Sequence, residues 1–550
     1  MPRPRRIWVV LLAVAALAAL GAAAALVGRA LWLRAQVLDS GGPLAPEQAA
    51  YDVRRYELAF RLDPEQRALA ATAIVTVVAR TPLATLVLDL DRRLRVERVD
   101  VDGAPARFEH RHGKLRIALA PAFAAGERHA ARVVYAGRPK RAALPPWLDG
   151  FVWDETPAGA PWIGVTVQGD GADDWWPTKD HPSDEPDEGV AIELTVPAGL
   201  VGLANGRRVE ERANADGTTT SRWEVYYPIN NYLVTVNAAP YVEIVERYRG
   251  ADGTLDLPMT FWVLPEHAAP ARAMWREAAV VLPIFARRFG EFPFLADKIG
   301  AVEAPFDGME HQTLLALGDG LEPQSSGIYE TLVHELAHEW WGNAVTARDW
   351  DDFWIHEGFA TYAEVLYLEE RFGAARARAH LEALRGEIAN DEPLIAGRAR
   401  TAAEVYDQEL YVKGAWVLAS LRWQLGDEVF FRAVRRFAGE PGRPRLVDSA
   451  ELAATVAAEC ACDLKAFWQR YLRSAEPPRY RLEREARGEV DEIRLAWDDP
   501  ALEIALPVRV GRELRRIEMP GGAARFEAPR DLGVAVDARG RLLAEPADGG

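Results

Sequence analysis

The residues best suited to chemistry lie in one short run, His334-Glu335-Leu336-Ala337-His338. On a helix, residues four apart share a face, so both imidazoles can reach a single metal ion. Glu335 lies one residue along, where its carboxylate can reach a water beside the metal rather than the metal itself. Such a run is expected by chance fewer than about 0.03 times in a chain of this composition. The pattern therefore favours a metal site over a helix with two solvated histidines.

Glu357, 19 positions after His338, is the candidate third ligand. A second helix that returns after a short connection can bring its carboxylate to the metal. Two histidines, one glutamate and one open position are typical of a catalytic zinc, because structural zinc sites are usually closed by four protein ligands. A donor set of imidazole and carboxylate without thiolate also favours zinc over softer metals. The sequence thus predicts one Zn²⁺ per chain.

The whole run HELAHEWWGNAVTARDWDDFWIHEGFATYAE, residues 334–364, resembles the motif of the gluzincin aminopeptidases, the family of aminopeptidase N and leukotriene hydrolase. The similarity extends over most of residues 51–546. It implies an N-terminal β domain, a thermolysin-like catalytic domain and a small β-sandwich. Many members continue into a large helical domain, so this chain is expected to be a short form without it.

The resemblance assigns roles one residue at a time. It places the zinc ligands on His334, His338 and Glu357, the general base on Glu335, and a residue that orients a ligating histidine on Glu364. Tyr411-Val412-Lys413-Gly414 is similar to the family's Y-x-K-G, whose tyrosine hydroxyl donates to the oxyanion of the tetrahedral intermediate. Such a donor lowers the barrier by about 3 kcal/mol. Without the zinc motif beside it, Tyr411 would be read as a core aromatic.

Two further segments resemble the family's substrate-binding motifs. Asp307-Gly308-Met309-Glu310-His311 is similar to G-x-M-E-N, whose glutamate binds the free α-amine of the substrate. Glu310 keeps that role beside Gly308 and Met309, whereas Asp307 replaces a glycine and His311 replaces an asparagine. Gln168 occupies the place of a second amine ligand. His356 replaces the asparagine that usually precedes the ligating glutamate, and a structural role is favoured for it over a place at the metal.

The resemblance implies a zinc-dependent aminopeptidase that hydrolyses the N-terminal peptide bond of peptides with a free amine, using a water activated by zinc. The altered motif at Asp307 and His311 leaves open an endopeptidase with relaxed N-terminal specificity. A catalytically inactive, membrane-anchored scaffold is the alternative from another class, and retention of the ligands, the base and Tyr411 argues against it. A formal net charge of −17 disfavours nucleic acid as a partner, because phosphate binding needs a basic surface.

These residues must be positioned by a multidomain α+β chain. Period-two alternation with Gly and Pro punctuation predicts an antiparallel β domain over 51–247. Helical spacing then predicts a mostly helical catalytic domain over 248–476, with helices at 268–289, 326–342, 358–372, 376–390, 409–425 and 427–438. Alternation returns over 477–550 and predicts a small β-sandwich.

The N-terminus predicts a membrane anchor. Three arginines at positions 3, 5 and 6 precede an apolar run, residues 7–27, that is long enough to span a bilayer. Residues 1–34 are therefore interpreted as a signal-anchor helix and 35–50 as a linker, with the catalytic part on the non-cytoplasmic side, or secreted where the helix is cleaved. The two cysteines, Cys460 and Cys462, are expected to be inert thiols.

Overall fold

The computed structural model describes residues 39–318, 321–324, 326–537 and 539–547. Within these ranges no helix is both long enough and apolar enough to cross a membrane. The membrane helix predicted at residues 7–27 lies outside the described residues.

The N-terminal third is built of strands, as the alternation predicts. The helix α1 (Pro46–Ala49) leads into β1 (Tyr51–Asp63), β2 (Ala68–Ala79), β3 (Leu83–Asp89), β4 (Leu94–Val101), β5 (Ala104–Pro105), β6 (Phe108–Arg111), β7 (Lys114–Phe123), β8 (Arg128–Gly137), β9 (Gly150–Glu155), β10 (Pro161–Thr166), β11 (Val190–Val196), β12 (Val201–Ala204), β13 (Arg207–Ala213), β14 (Thr219–Val225) and β15 (Val236–Ala239). An eight-stranded sheet has the order β13-β14-β11-β1-β2-β8-β4-β5, beside sheets β12-β15-β10-β9 and β3-β7-β6.

One pairing departs from the antiparallel pattern expected for this region. β1 and β11 run parallel, with Tyr56 opposite Val190. The chain between them contains β2 to β10, so the two strands are not joined by a hairpin and can pair in the same direction. Alternation along each strand predicts which face is buried but not the direction of its neighbour.

A second, mixed sheet underlies the catalytic segment: β16 (Val242–Tyr248), β17 (Leu257–Val263), β18 (Ile299–Glu303) and β19 (Leu315–Leu317). β16 and β17 are antiparallel, and β17, β18 and β19 are parallel. The sequence interpretation missed β18 and β19. Both are short and buried at every residue, so they show no period-two alternation.

The helices are α2 (Ala268–Phe289), α3 (Glu330–His338), α4 (Trp354–Phe372), α5 (Ala374–Arg385), α6 (Glu409–Leu425), α7 (Asp427–Ala438), α8 (Ser449–Cys460) and α9 (Lys465–Arg473). α2, α6 and α7 have the predicted bounds. α3 is shorter than predicted, and α4 begins four residues before its predicted start at 358. The cause is a short 3₁₀ turn, Trp350–Asp352, capped by the Asp349 side chain and continuous with α4. Glu357 therefore lies in the first turn of the helix.

Three small sheets complete the fold. β20 (Val345–Ala347) pairs in parallel with β21 (Arg445–Val447) within the helical segment. At the C-terminal end, where the sequence predicts a β-sandwich, β22 (Arg479–Arg487), β23 (Val490–Trp497), β26 (Ala523–Pro529) and β28 (Glu545–Pro546) form one sheet, and β24 (Leu506–Val510), β25 (Glu513–Ile517) and β27 (Val534–Val536) form another.

Residues 39–50, interpreted from sequence as linker, belong to the folded body. In the N-terminal strap, residues 39–42, the Ser40 amide donates to the Gly169 carbonyl at 3.1 Å. The Gly42 amide donates to the Arg400 carbonyl at 3.0 Å, and the Ala402 amide donates back to the Ser40 carbonyl at 3.0 Å. At Gly41 a Cβ would lie 2.1 Å from the Trp350 ring, so only glycine fits. Composition suggested a linker because Gly and Pro cluster there, but these residues serve close packing.

The prediction of inert thiols is wrong. Cys460 and Cys462 form a disulfide, with their Cα atoms 5.1 Å apart. α8 ends at Cys460, and Ala461 adopts a left-handed conformation with φ 51° that turns the chain back on itself. This turn brings together two cysteines whose spacing alone did not suggest a pair.

Candidate active site

The short helix α3 supplies three of the candidate site residues from one side. Leu332, Leu336 and Ala337 are buried in the core on its other side, so the orientation of the helix is fixed by packing. His334 and His338 project together, as their four-residue spacing requires. Their Nε2 atoms lie 3.0 Å apart.

The carboxylate of Glu357 completes a triangle with the two imidazoles. Its Oε2 lies 3.3 Å from His334 Nε2 and 3.4 Å from His338 Nε2. A tetrahedral zinc with bonds of about 2.0–2.1 Å holds its ligand atoms about 3.3 Å apart, so the three atoms fit this ion. The pKa of Glu357 is held well below its usual range, because the neighbouring histidines outweigh the opposing effect of burial.

The other nitrogen of each ring fixes the tautomer. His334 Nδ1 lies 2.8 Å from Glu364 Oε1, and His338 Nδ1 lies 2.7 Å from the Trp341 carbonyl oxygen. A carboxylate and a carbonyl accept hydrogen bonds, so each Nδ1 carries the proton and each Nε2 lone pair faces the metal position. The resemblance suggested this role for Glu364. It gave no signal for His380, whose Nε2 lies 3.2 Å from the other oxygen of Glu364.

Glu335 is buried beside the metal position. Its Oε2 has no hydrogen-bond partner among the described residues, and burial raises its pKa to about 8, against the opposing charges of His334 and His338. Gly308 lies directly opposite, and a Cβ there would be 2.2 Å from Glu335 Oε1. A glycine at position 308 therefore makes room for the carboxylate.

Glu310 lies close to the metal position, since its carboxylate is within 4.8 Å of the functional atoms of Glu335 and His338. Its Oε1 accepts a hydrogen bond of 2.7 Å from the Gln168 side-chain amide, a contact that joins the N-terminal β domain to the catalytic segment. Met309 pairs with Ala316 through two backbone hydrogen bonds of 3.1 and 2.9 Å, which hold this segment against β19. Burial raises the pKa of Glu310, and the nearby His338 opposes that shift.

Tyr411 reaches the site from the first turn of α6. Its ring stacks on His334 at 5.9 Å, and its hydroxyl lies 2.6 Å from the hydroxyl of Tyr406, which the sequence interpretation did not single out. α6 lies close to α4 because two glycines meet. A Cβ at Gly414 would be 2.7 Å from the Gly358 Cα, so side chains would force the helices apart.

Two of the three residues that depart from the family motifs, His356 and His311, are fully buried. His356 accepts a 2.7 Å hydrogen bond from the Ala347 amide on Nε2, and its Nδ1 lies 3.3 Å from the Tyr232 hydroxyl. This position within the protein framework agrees with the structural role favoured from the sequence. The His311 ring has no hydrogen-bond partner among the described residues, and burial lowers its pKa to about 3, so it is neutral.

All ten predicted site residues line one cavity of about 480 Å³, together with residues that the sequence did not suggest, among them Trp147 and Tyr406. The predicted residues are His334, His338, Glu357, Glu335, Tyr411, Glu364, Gln168, Gly308, Met309 and Glu310. Trp147, which is 47 % exposed, is the part of this lining that the β domain contributes beside Gln168 and Pro146.

Comparisons with known proteins all find similarity to M1 peptidases and aminopeptidases. Residues 298–471 match the model of the peptidase family M1 domain. Endoplasmic reticulum aminopeptidase 2 of Bos taurus is 29% identical over 178 residues, 29% of this chain and 19% of that protein. Probable aminopeptidase 1 of Saccharolobus solfataricus is 25% identical over 375 residues, 63% of this chain and 44% of that protein. The chain thus matches less than half the length of these two relatives.

The solved M1 zinc metallopeptidase of Deinococcus radiodurans is similar over nearly its full length. It superposes with a TM-score of 0.67 at 25% identity, covering 78% of this chain and 94% of that one. A mutant of the same protein has been solved bound to a Tyr-Ser-Ala substrate, and its TM-score against this chain is 0.65.

Proposed function

The chain belongs to peptidase family M1, the gluzincin aminopeptidases, and from that premise we propose that it is a zinc-dependent aminopeptidase. The observation that carries the proposal is the short distance between two sets of residues in one cavity. One set is the triangle of His334, His338 and Glu357, which would hold the zinc. The other is the pair of Glu310 and Gln168, which suits a substrate ammonium group.

Glu310 and Gln168 would select the substrate. A carboxylate buried beside an amide oxygen and open to a cavity is a good partner for a protonated amine, because the charge pair forms out of contact with bulk water. Glu310, Glu335 and His338 lie close enough that their functional atoms are within 4.8 Å of one another. An amine held at Glu310 would therefore place the first peptide bond next to the metal position.

Glu335 would move the proton. Bound zinc supplies Lewis-acid chemistry toward a water and toward the substrate carbonyl. Glu335 accepts the proton that the water releases and then gives it to the departing amine. Burial raises the pKa of this carboxyl to about 8, so its charged form is poorly solvated, as suits a group that accepts and releases a proton.

Tyr411 would stabilise the negative charge on the carbonyl oxygen. The Tyr406 hydroxyl lies within hydrogen-bond distance of the Tyr411 hydroxyl, which holds it toward the cavity before substrate arrives. Burial raises the pKa of Tyr411 well above its usual value, so the phenol keeps its proton and acts as a donor. A donor fixed in place in this way costs little reorganisation during the reaction.

The test uses the full-length chain, purified in mild detergent, with fluorogenic aminoacyl amides and their N-acetylated twins. We expect release from the free-amine substrates only, loss of that release on zinc chelation, and recovery on adding zinc. Equal cleavage of the acetylated twins would instead indicate an endopeptidase. Zinc binding without turnover of any substrate would contradict the proposal.

A further inference from the structure

Two fully buried side chains behind Glu310 have no place in the proposed reaction. His356 and Tyr232 are both 0 % exposed. The imidazole packs on Phe353, with ring centroids 4.9 Å apart, and the phenol packs on Trp350 at 5.4 Å. A Cβ at Gly342 would lie only 3.5 Å from the His356 ring. Both rings are thus fixed by packing on several sides, although neither faces the metal triangle as a ligand.

The hydrogen bonds of these two side chains have only one consistent direction. The Ala347 backbone N–H can only donate, so His356 Nε2 must accept, at 2.7 Å. A neutral imidazole then carries its proton on Nδ1 and donates it to the Tyr232 hydroxyl oxygen at 3.3 Å. Since the tyrosine oxygen accepts from His356, its own hydrogen is left for another acceptor.

The Glu310 carboxylate lies near enough for the Tyr232 hydroxyl to affect it: burial raises the pKa of Glu310, and the hydroxyl opposes that shift, as a hydrogen-bond donor to a carboxylate does. Glu310 receives a second donor, the Gln168 amide, at 2.7 Å on Oε1. The chain of bonds begins at Ala347 in β20, which is paired with β21, so its first donor is part of a sheet. Each later hydrogen bond has its donor and acceptor fixed by the bond before it.

We propose that Tyr232 and His356 are positioning residues that orient the Glu310 carboxylate for the ammonium group of the substrate. The inference rests on the proposed function, because it assumes that Glu310 binds an amine. The path runs from the Ala347 N–H through His356 and Tyr232 to Glu310. With its orientation set from behind by Tyr232 and from the side by Gln168, the carboxylate keeps its remaining lone pairs directed into the cavity. The substrate class is peptides with a free, protonated N-terminus.

The first variant is Tyr232→Phe, which removes one hydroxyl and keeps the packing. Hydrogen bonds to charged groups are stronger than those between neutral groups, so we expect KM for free-amine substrates to rise about 10-fold. kcat should stay within about 3-fold, because Tyr232 does not touch the reacting atoms. Tyr471→Phe is the matched control: it removes a buried hydroxyl whose 2.8 Å bond to the Leu543 carbonyl lies outside the cavity. KM should not change in that control.

The second pair of variants is at His356. His356→Leu should raise KM as Tyr232→Phe does, since the tyrosine loses the donor that directs it. His356→Asn is the conservative variant, because its amide nitrogen can take the place of Nδ1 and donate to Tyr232. It should restore KM to within about 3-fold of the wild-type value. If His356→Leu does not fold, Tyr232→Phe still decides the question.

Calorimetric binding of a nonhydrolysable aminoacyl inhibitor and its N-acetylated twin distinguishes two claims: that Glu310 binds the substrate amine, and that Tyr232 and His356 position Glu310. Wild-type protein that binds both equally would contradict the amine anchor itself, and with it the proposed function. The wild-type protein is instead expected to prefer the free amine, as proposed. If Tyr232→Phe then shows the same preference and the same KM, only the positioning role of Tyr232 and His356 is overturned. A fall in kcat at unchanged KM in Tyr232→Phe would also overturn it.

Discussion

At the scale of single residues, the cavity contains two carboxylates with opposite surroundings. Glu357 lies between two imidazoles, which lower its pKa, whereas Glu335 is buried with one oxygen lacking a hydrogen-bond partner among the described residues, and its pKa is raised to about 8. The first environment suits a permanently charged metal ligand. The second suits a group that gains and loses a proton.

Glu335→Gln separates these two roles. We expect kcat to fall by about 10³-fold, because an amide cannot accept the proton, while the zinc content stays at one ion per chain. Metal analysis and steady-state kinetics on the same sample measure both. Glu339→Gln is the control, because burial also raises the pKa of Glu339 to about 8 and its carboxyl faces Thr313 and Asn343. Loss of zinc from Glu335→Gln would mean that Glu335 is a ligand instead.

Tyr411→Phe tests the oxyanion donor. Removal of one such donor typically lowers kcat by about 10²–10³-fold, and KM should change little, since the donor acts mainly after the carbonyl has been attacked. Tyr406→Phe should have a smaller effect, because it only holds the Tyr411 hydroxyl. Equal losses in the two variants would show that the tyrosines act as a unit. An unchanged kcat in Tyr411→Phe would contradict its assigned role.

At the scale of elements, the crossing of α4 and α6 decides whether these residues can meet. α4 carries Glu357 and α6 carries Tyr411, and the helices touch where Gly358 faces Gly414. The glycine of the Y-x-K-G segment is therefore explained by packing. Lys413 in the same segment is buried and donates to the Glu409 carboxylate at 3.1 Å and to the Ala475 carbonyl at 2.6 Å.

Gly414→Ala should displace Glu357 and Tyr411 relative to each other, because they lie on the two helices that meet at this glycine. The added Cβ would lie 2.7 Å from a backbone atom, so the helices must separate, at a cost of about 1–3 kcal/mol in the free energy of unfolding. We expect kcat to fall with it. Gly386→Ala is the control, because that glycine has φ −65° and its nearest neighbour would be 3.4 Å away. Denaturant unfolding and kinetics report the two effects, and a fully active, stable Gly414→Ala would contradict this account.

The elements also show which features the sequence could reveal. The candidate metal ligands could be found in the sequence because two lie one helical turn apart and the third follows in a recognisable motif. Long periodic helices such as α2 were predictable for the same local reason. β18, β19 and the strap were missed, since short buried strands and close-packed glycines have no periodic pattern. Tyr232 and His356 are 124 positions apart, so only the fold reveals their contact.

At the scale of the whole molecule, the net charge of −17 coexists with acids buried in the interior. Asp149 is one of these: it accepts hydrogen bonds from the amides of Gly169 and Asp170 next to Gln168. Burial raises its pKa to about 7, although those amides and Lys140 oppose the shift. Asp149 therefore holds the segment that follows Gln168, and its ionisation makes the stability of the protein depend on pH.

The sign of that dependence follows from linkage. The pKa of an unfolded aspartate is about 3.9, so between about pH 4 and pH 7 the folded state keeps a proton that the unfolded state has lost. The stability from Asp149 is complete below about pH 4 and is lost as pH rises through about 7. We expect the free energy of unfolding of the wild type to fall, relative to Asp149→Asn, by more than about 1 kcal/mol over this range.

Urea unfolding at pH 4.5, 6 and 7.5 measures the difference between the two proteins. The variant shares with the wild type the titration of groups away from Asp149, so these effects cancel in the comparison, whereas Asp174 interacts with Asp149 and belongs to the same effect. Parallel stability curves would show that Asp149 ionises in the folded protein as it does in the unfolded chain.

The N-terminal strap would limit the reach of the protein if the predicted anchor at residues 7–27 holds it to a membrane. Because Ser40 and Gly42 are hydrogen-bonded to the body, the chain is already held to the fold at residue 40. A helix spanning a bilayer at residues 7–27, as the sequence predicts, would leave only residues 28–38 between the lipid surface and the fold. Fully stretched, eleven residues reach about 40 Å. Anchored in this way, the protein would trim only peptide ends that come within roughly one domain diameter of the membrane.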